Sequence, residues 1–403
     1  MFLRIAIRNV FRNKRRTAFS LGIIVIGVAI LYFVTGFVSA SLASIQTALV
    51  SELGAVQVAD RRAFEETAEG YEYLISTETL ERLIGLLEGD PRVRGYTWQL
   101  GFAGLIGNER GSTLLLARGL VPGNAVEDYR ELVIQGRPLA AEGGPQVVIG
   151  QELAEKLGVQ VGELINIATG TVSGNFIAAS AEIVGTFRYN NATLEGQLGF
   201  MPLTFAQKLL RTSGVERVLI SLVRLEQAEE FSRELQARLD EAGLALEARP
   251  WQRLSSFYDS IRVFWVAFTL WTNGGVFALV FFSVLEVLTM AFLERLREVG
   301  TIRAVGTKRR QVFKMFLFEG LALGLLGGVL GALAGAGLGT LFNGAGINWT
   351  PPGAIEPQPL RVQVGLAVAL VPFLTALGST LLSAIYPAWR GARSSIVQAL
   401  SHV

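Results

Sequence analysis

The sequence predicts a membrane protein with four transmembrane α-helices and an α+β extracytoplasmic domain inserted between helices 1 and 2. Three observations support this fold class. The 403 residues are 51% hydrophobic and only 17% charged, whereas soluble domains are about a quarter charged. Residues 41–260 hold 19 Lys/Arg and 29 Asp/Glu, and the rest of the chain holds 17 and 5. Four long apolar runs all lie outside this acidic block. A single soluble domain is therefore excluded.

Each apolar run is long enough to cross the hydrocarbon core, which takes about 20 helical residues. The first run, residues 18–40, contains no charged residue. It is too long for the apolar region of a signal peptide, and no cleavage pattern follows it, so we expect an uncleaved span. The other three predicted spans are residues 261–293, 315–342 and 362–389.

Basic residues predict the orientation, because loops that stay in the cytoplasm carry an excess of Lys and Arg. They cluster before the first run, between the second and third runs, and after the fourth. Both termini are therefore predicted to be cytoplasmic and the acidic block to lie outside. The remaining predicted segments are an amphipathic basic helix (1–17), the external domain (41–260), a cytoplasmic loop and helix (294–314), a short external loop (343–361) and a cytoplasmic tail (390–403).

The side-chain inventory excludes most hydrolytic chemistry. The chain has no Cys, and His402 is its one histidine. Zinc motifs of the HExxH type and Ser–His triads therefore lack their parts. No stretch reads G-x-x-x-x-G-K-[ST], and no predicted span contains Asp, which argues against an intramembrane protease. We expect no catalytic residue and no metal site.

Two carboxylates fall within the apolar runs, Glu286 and Glu319. A charge at membrane depth is expensive and is usually paired or faces water. For Glu286 two interpretations stay open, a functional switch or a pair with a basic residue near the cytoplasmic interface, and we favour the pair.

Glycines recur every four residues in the third run, at Gly327, Gly331, Gly335 and Gly339. Small residues at this spacing let helix backbones approach closely in lipid. Packing within the subunit and a dimer interface are both consistent with the pattern, and we favour packing within the subunit.

Two segments resemble a known family. Ala6–Asn9 and Arg15–Thr17 form a basic lead into the first span, and Glu294–Gly306 reads E-R-L-R-E-V-G-T-I-R-A-V-G before a second basic cluster. Together with one span, a large external domain and three further spans, this layout resembles the permease subunits of the MacB/LolC–LolE/FtsX class of ABC transporters.

The resemblance implies the partners and the location. Such permeases sit in the bacterial cytoplasmic (inner) membrane as homodimers or heterodimers, with two copies of a cytoplasmic ABC ATPase that binds MgATP. We therefore expect no cofactor in this chain, no nucleic-acid partner, and a role as a mechanical transmitter. Within the class, members release lipoproteins, export compounds with an adaptor protein, or regulate cell-wall hydrolases.

The motif between the second and third spans is the predicted ATPase-coupling site. Its residues 294–304 favour a helix, because acidic and basic side chains recur at three- and four-residue spacing. Gly300 and Gly306 are expected to allow the turns that lay this element across the membrane surface. The predicted coupling residues are Glu294, Arg295, Glu298, Gly300, Arg303 and Gly306. The alternative is a solvated loop that pairs with itself.

Aromatic residues concentrate where the external domain meets the second span. Such a cluster suits lipoprotein or other lipid-linked cargo, although an ordinary interfacial aromatic belt predicts the same composition. Efflux with an adaptor and regulation of a cell-wall hydrolase remain alternatives. The candidate cargo residues are Trp251, Phe257, Tyr258, Phe264, Trp265, Phe268 and Trp271.

Overall fold

The computed structural model describes residues 14–64, 71, 73–123, 126, 129–140, 144–350 and 355–393. The predicted amphipathic helix before residue 14 and the tail beyond residue 393 lie outside them. The chain divides into two compact units. We call them the helical unit, which runs to Ser44 and includes Ser260–Asn348 and the chain from Pro359, and the sheet unit, which comprises Ile45–Asp259 and Trp349–Gln358.

Ten α-helices lie within the described residues. They are α1 (Lys14–Leu53), α2 (Thr77–Leu87), α3 (Gln151–Leu157), α4 (Ala192–Glu195), α5 (Leu203–Leu210), α6 (Ala228–Glu241), α7 (Ser256–Glu294), α8 (Leu296–Ala304), α9 (Arg309–Gly344) and α10 (Leu366–Arg393).

Twelve β-strands accompany them in the same described part of the chain. They are β1 (Val56–Asp60), β2 (Val93–Asn108), β3 (Gly111–Leu120), β4 (Val133–Gly136), β5 (Gln146–Gly150), β6 (Leu164–Gly170), β7 (Phe176–Phe187), β8 (Leu198–Pro202), β9 (Arg217–Leu222), β10 (Leu246–Pro250), β11 (Asn348–Trp349) and β12 (Gln358–Pro359).

Four helices, α1, α7, α9 and α10, are long and apolar enough to cross a membrane. The first is longer than the predicted span 18–40, because residues 41–53 contain no glycine or proline and remain compatible with a helix. It ends where Gly54 adopts the left-handed conformation, with φ of 71°. At 40 residues, α1 is about twice the length that the hydrocarbon core requires.

The fourth span begins later than predicted, at Leu366 instead of residue 362. The chain just before it is non-helical, and its backbone N–H groups donate hydrogen bonds to α1. Gly365 N donates to the Tyr32 hydroxyl at 2.9 Å, and Gln363 N donates to Gly36 O at 2.9 Å. The preceding loop, predicted as residues 343–361, belongs to both units. Its middle part, Trp349–Gln358, is in the sheet unit, and its two ends are in the helical unit.

The sheet unit is built on one mixed ten-stranded sheet. Its strand order is β10-β1-β9-β2-β3-β8-β5-β7-β4, and β6 pairs with β2 and β7. The 16-residue strand β2 joins two regions, because its first half pairs with β9 and its second half with β3. Strands from both ends of residues 45–259, namely β1, β9 and β10, therefore share one sheet with the strands that lie between them in the sequence. The α+β domain between the first two spanning helices is confirmed.

The helical unit has an apolar core to which all four long helices contribute. On α7 the buried residues recur every fourth position, at Val280, Val284 and Leu288, which is the stripe expected of a helix packed on one side. The other members of this core are Ile24 and Val28 of α1, Ala322 and Leu323 of α9, and Ala376 and Ala384 of α10.

The four-residue glycine series of α9 faces α1 and the chain before α10. A Cβ at Gly327, Gly331 or Gly335 would lie 2.5, 2.5 or 2.6 Å from side-chain atoms of Ile24, Val28 and Tyr32, respectively. A Cβ at Gly339 would lie 3.1 Å from the Val364 side chain. Within one chain, the missing side chains thus let α9 approach α1 closely.

We expect Gly331→Ala to destabilise the protein by about 1–3 kcal/mol, because the new methyl group overpacks the contact with Val28. Gly337→Ala is the matched control on the same helix, since no atom lies within 4 Å of its Cβ position. That control should be neutral or stabilising by up to about 1 kcal/mol. Thermal unfolding in detergent measures both, and equal midpoints for the two variants would contradict the close approach.

Candidate functional site

The candidate site is the junction between α7, α8 and α9. Arg295 alone separates α7 from α8, and its backbone leaves helical geometry with φ of −104° and ψ of 12°. The chain then turns between α8 and α9 through Gly306, whose φ is 105°, a conformation that favours glycine. A helix of nine residues is therefore joined almost directly to two spanning helices.

The turn at Gly306 is as the sequence indicated, but the prediction of a turn at Gly300 is wrong. Gly300 lies inside α8 and is buried. The helix continues through it because the neighbouring residues Val299 and Thr301 are helical and only one glycine interrupts the run, at a cost of about 1 kcal/mol.

One side of α8 packs on an apolar cluster at the ends of the spanning helices. Val299 is buried against Phe292 and Phe316, whose rings meet edge to face with centroids 5.7 Å apart. Gly391 of α10 comes so close that a Cβ there would lie 3.0 Å from the Phe292 ring and 3.2 Å from the Phe316 ring. Helices α7, α8, α9 and α10 all contribute to this contact, and aromatic pairs of this kind add about 0.5–1.5 kcal/mol beyond their burial.

A buried ion pair joins the α7–α8 junction to α9. Arg295 Nη1 donates to Glu319 Oε1 at 2.9 Å, and the two residues are 9% and 3% exposed. Buried charges are tolerated when they are paired and hydrogen-bonded. Removing one partner is costly, because the other charge remains buried and uncompensated. The pair therefore fixes the position of the junction relative to α9.

The location of Arg295 bears on one of two predicted roles. The sequence predicts that Arg295 either meets the ATPase groove or positions it, and the positioning role stays a prediction. In the structure it points into the protein and binds Glu319, so direct contact with a docked protein is excluded in this conformation. The sequence did place an arginine and a carboxylate of opposite charge at the edges of two apolar runs. It could not show that the two side chains lie within hydrogen-bonding distance.

The opposite side of α8 is exposed. Glu294, Glu298 and Gly306 are exposed, and Arg303 is half-buried. Two apolar residues share this side, because Ile302 is 44% exposed and Val305, just beyond the helix, is 85% exposed. Exposed apolar groups rimmed by charges are typical of protein-interaction sites.

Comparison with known proteins agrees with the layout. The model of the MacB-like periplasmic core domain matches residues 17–238, more than half of the chain, and the model of the FtsX-like permease C-terminal region matches residues 273–396. This chain belongs to the MacB/LolC/FtsX class of ABC transporter permeases. The candidate site lies within the FtsX-like match.

Individual relatives are distant. The lipoprotein-releasing system transmembrane protein LolC of Xylella fastidiosa (strain 9a5c) is 24% identical over 80% of this chain and 81% of its own length. The macrolide export ATP-binding/permease protein MacB of Syntrophobacter fumaroxidans is 29% identical over 32% of this chain and 16% of its own. The crystal structure of the periplasmic region of MacB from Actinobacillus actinomycetemcomitans gives a TM-score of 0.35 at 10% identity, covering 51% of this chain and 92% of that one.

Glu286 of this permease is exposed on the surface of α7. Among the described residues no ion pair joins it to a basic side chain, so both interpretations of Glu286, a functional switch and an interfacial pair, stay predictions. The other intramembrane carboxylate, Glu319, is the paired one. Geometry separates the two, because Glu319 faces the helix core and Glu286 faces away from it.

The predicted aromatic cluster divides into two groups. Trp251 and Tyr258 are buried in the sheet unit, with ring centroids 4.7 Å apart, so they are core residues and do not form a cargo surface. Phe257, also in the sheet unit, is exposed. In the helical unit, Phe264, Trp265 and Phe268 of α7 contact one another with centroids 5.4–6.4 Å apart, and Trp271 is 79% exposed.

We expect Arg295→Met to destabilise the permease by about 3–5 kcal/mol, because it removes the charge-assisted hydrogen bond that the buried Glu319 carboxylate accepts from Arg295. The double variant Arg295→Met/Glu319→Leu should recover most of that loss, since no buried charge remains. Arg297→Met, on an exposed neighbour in α8, is the matched control. Denaturant unfolding in detergent measures all three, and an Arg295→Met loss no larger than that of the control would rule out the role of the pair.

Proposed function

We propose that this permease transmits movement from a separate cytoplasmic ATPase to its extracytoplasmic domain, and that its cargo is a lipoprotein or another lipid-linked molecule. The observation that carries the coupling role is the construction of α8, which is fixed to the spanning helices on one side and exposed on the other. A helix that is both anchored and exposed can receive a displacement and pass it on without bending.

The anchoring has two components of different physical character. The Phe292–Phe316 contact excludes water and is non-directional, whereas the Arg295–Glu319 pair is directional and sets the orientation of the junction. A push on α8 is therefore delivered to α9 through the ion pair as well as through the turn at Gly306.

The exposed side fits the groove of a partner ATPase. Ile302 and Val305 supply apolar area, and Glu298 and Arg297 supply charges of both signs at the rim. Apolar centres with polar rims are the usual anatomy of protein interfaces. In this proposal MgATP binds the ATPase, two permease copies or two related permeases assemble with two ATPase copies, and α8 lies on the cytoplasmic side with both termini.

We expect Ile302→Ser to weaken binding of the partner ATPase roughly 10- to 100-fold, because a buried isoleucine contributes about 1.5–3 kcal/mol. The matched control is Ile134→Ser on β4, since Ile134 is 47% exposed and lies in the other unit. Co-purification from detergent, followed by titration of the ATPase, measures the affinity. Undiminished binding by Ile302→Ser, with both variants folded, would refute the docking surface.

The proposal for the cargo rests on the aromatic group of α7. Phe264, Phe268 and Trp271 expose ring surface on a spanning helix, and aromatic rings accommodate both acyl chains and headgroups. The likeness to LolC over most of both chains supports a lipid-anchored cargo. The shorter likeness to MacB keeps export of a soluble compound as the competing outcome of the test.

We expect Trp271→Ala to reduce the affinity for a fluorescent triacylated lipopeptide severalfold in nanodiscs, because the side chain supplies a large exposed apolar surface. Trp389→Ala, a second exposed tryptophan near the end of α10, controls for general loss of aromatic surface. Titration of the lipopeptide against both variants measures the effect. Unchanged lipopeptide affinity, together with saturable binding of a macrolide, would favour efflux instead.

A further inference from the structure

Three consecutive residues that follow β7, Arg188, Tyr189 and Asn190, lie where two other segments of the sheet unit come together. One segment is the last turn of α1, and the other is the loop after β11, at Ile355 and Glu356. The first segment is the end of the spanning helix α1, and the second leads through β12 to the spanning helix α10. We call residues 188–190 the junction segment.

Tyr189 holds the last turn of α1. Its hydroxyl donates to Glu52 Oε2 at 2.6 Å, while Arg118 Nη2 of β3 donates to Glu52 Oε1 at 2.7 Å. Both carboxylate oxygens are thus occupied by directional, charge-assisted bonds. Burial and the neighbouring carboxylate raise the pKa of Tyr189, so its hydroxyl stays a donor throughout the physiological range.

Asn190 holds the loop. Its Oδ1 accepts from Ile355 N at 2.9 Å and from Glu356 N at 2.8 Å, and its Nδ2 donates to Glu356 O at 3.3 Å. One side chain therefore makes three hydrogen bonds to the backbone of two adjacent residues. Because backbone atoms are bound, this contact holds residues 355 and 356 in place without using their side chains.

The junction segment is itself firmly attached. Arg188 N donates to Leu132 O at 2.9 Å, and Tyr189 N donates to Glu195 Oε2 at 2.7 Å. Glu195 is fully buried, and its Oε1 accepts from Glu152 N of α3 at 3.1 Å. A displacement of residues 188–190 would therefore pull on the inserted strands and on α3 together.

Beyond Glu356 the chain soon enters the helical unit, where a second asparagine binds it in the same manner. Asn343 Nδ2 donates to Val362 O at 2.9 Å, and Val362 N donates to Asn343 Oδ1 at 2.8 Å. The stretch from Glu356 to Val362 is thus bound by one asparagine at each end.

We propose that Asn190 is the positioning residue through which movement of the loop before α10 reaches the sheet unit, while Tyr189 delivers movement of α1 to the same segment. The inference rests on the proposed function, because it assumes that the spanning helices move when the ATPase binds nucleotide. It adds a defined point of transmission, distinct from α8, at which two spanning helices act on one segment.

The test uses hydrogen exchange in the permease–ATPase complex in nanodiscs, with and without MgATP and vanadate. In the wild type we expect nucleotide-dependent changes in peptides of both units. In Asn190→Ala we expect the changes in helical-unit peptides to remain and those in residues 129–200 to fall by at least half. Asn166→Ala is the matched control, because Asn166 is exposed on β6 and bonds to Ser180; it should behave as the wild type.

The outcomes separate the two proposals. If the wild type shows no nucleotide-dependent change in either unit, the proposed coupling function is wrong. If the wild type responds and Asn190→Ala responds equally in residues 129–200, coupling stands and the role of Asn190 is refuted.

A second variant covers the case in which Asn190→Ala fails to fold. The chain contains no cysteine, so Asn190→Cys/Glu356→Cys introduces the only thiols. Oxidation should form a disulfide, because Asn190 bonds directly to the backbone of residue 356. We expect the oxidised protein to show the wild-type change in hydrogen exchange in residues 129–200. The reduced protein should show the smaller change expected of Asn190→Ala. Failure of the disulfide to form, or equal responses in both states, would overturn the proposal.

Discussion

The buried Arg295–Glu319 pair is the constraint on which the candidate site depends. It lies between the end of α7 and the first turns of α9, and it explains why α8 has a defined position although only one residue separates it from α7. An apolar contact alone would let the short helix slide over Phe292 and Phe316. An ion pair with little water access resists such sliding, because separating two buried charges is costly. The exposed side of α8 is consequently presented in one orientation.

Close backbone approach is the second requirement, and it acts through the same helices. The glycines of α9 bring it against α1, and Gly391 brings α10 against the Phe292–Phe316 contact. Without a strong hydrophobic driving force between helices in lipid, van der Waals contact has to supply the cohesion. A closely packed bundle has discrete arrangements and resists continuous deformation. Under the proposed function, such a bundle would pass a displacement of α8 on to the other spanning helices.

The sequence predicted the four spans and the inserted α+β domain, because hydropathy and charge are local properties. It misjudged features that depend on partners far away in the chain. Arginine is usually a surface residue, and Arg295 is buried because it pairs with Glu319, which lies 24 positions further along the chain. Trp251 and Tyr258 are aromatic residues of the kind found at a membrane interface, but they pack against each other in the sheet unit. Asn190 has no distinguishing local pattern, since its role comes from backbone atoms about 165 residues away.

The lengths of α1 and α7 bear on how movement would be transmitted. They have 40 and 39 residues without interruption, about twice what the hydrocarbon core requires. A continuous helix carries axial and tilting movement along its length, whereas a flexible linker would lose it. Under the proposed function, movement of α1 would reach Glu52, where Tyr189 and Arg118 bind both carboxylate oxygens. A loop with the same residues would make the same bonds but could not push, so the proposed role depends on α1 continuing past the predicted boundary at residue 40.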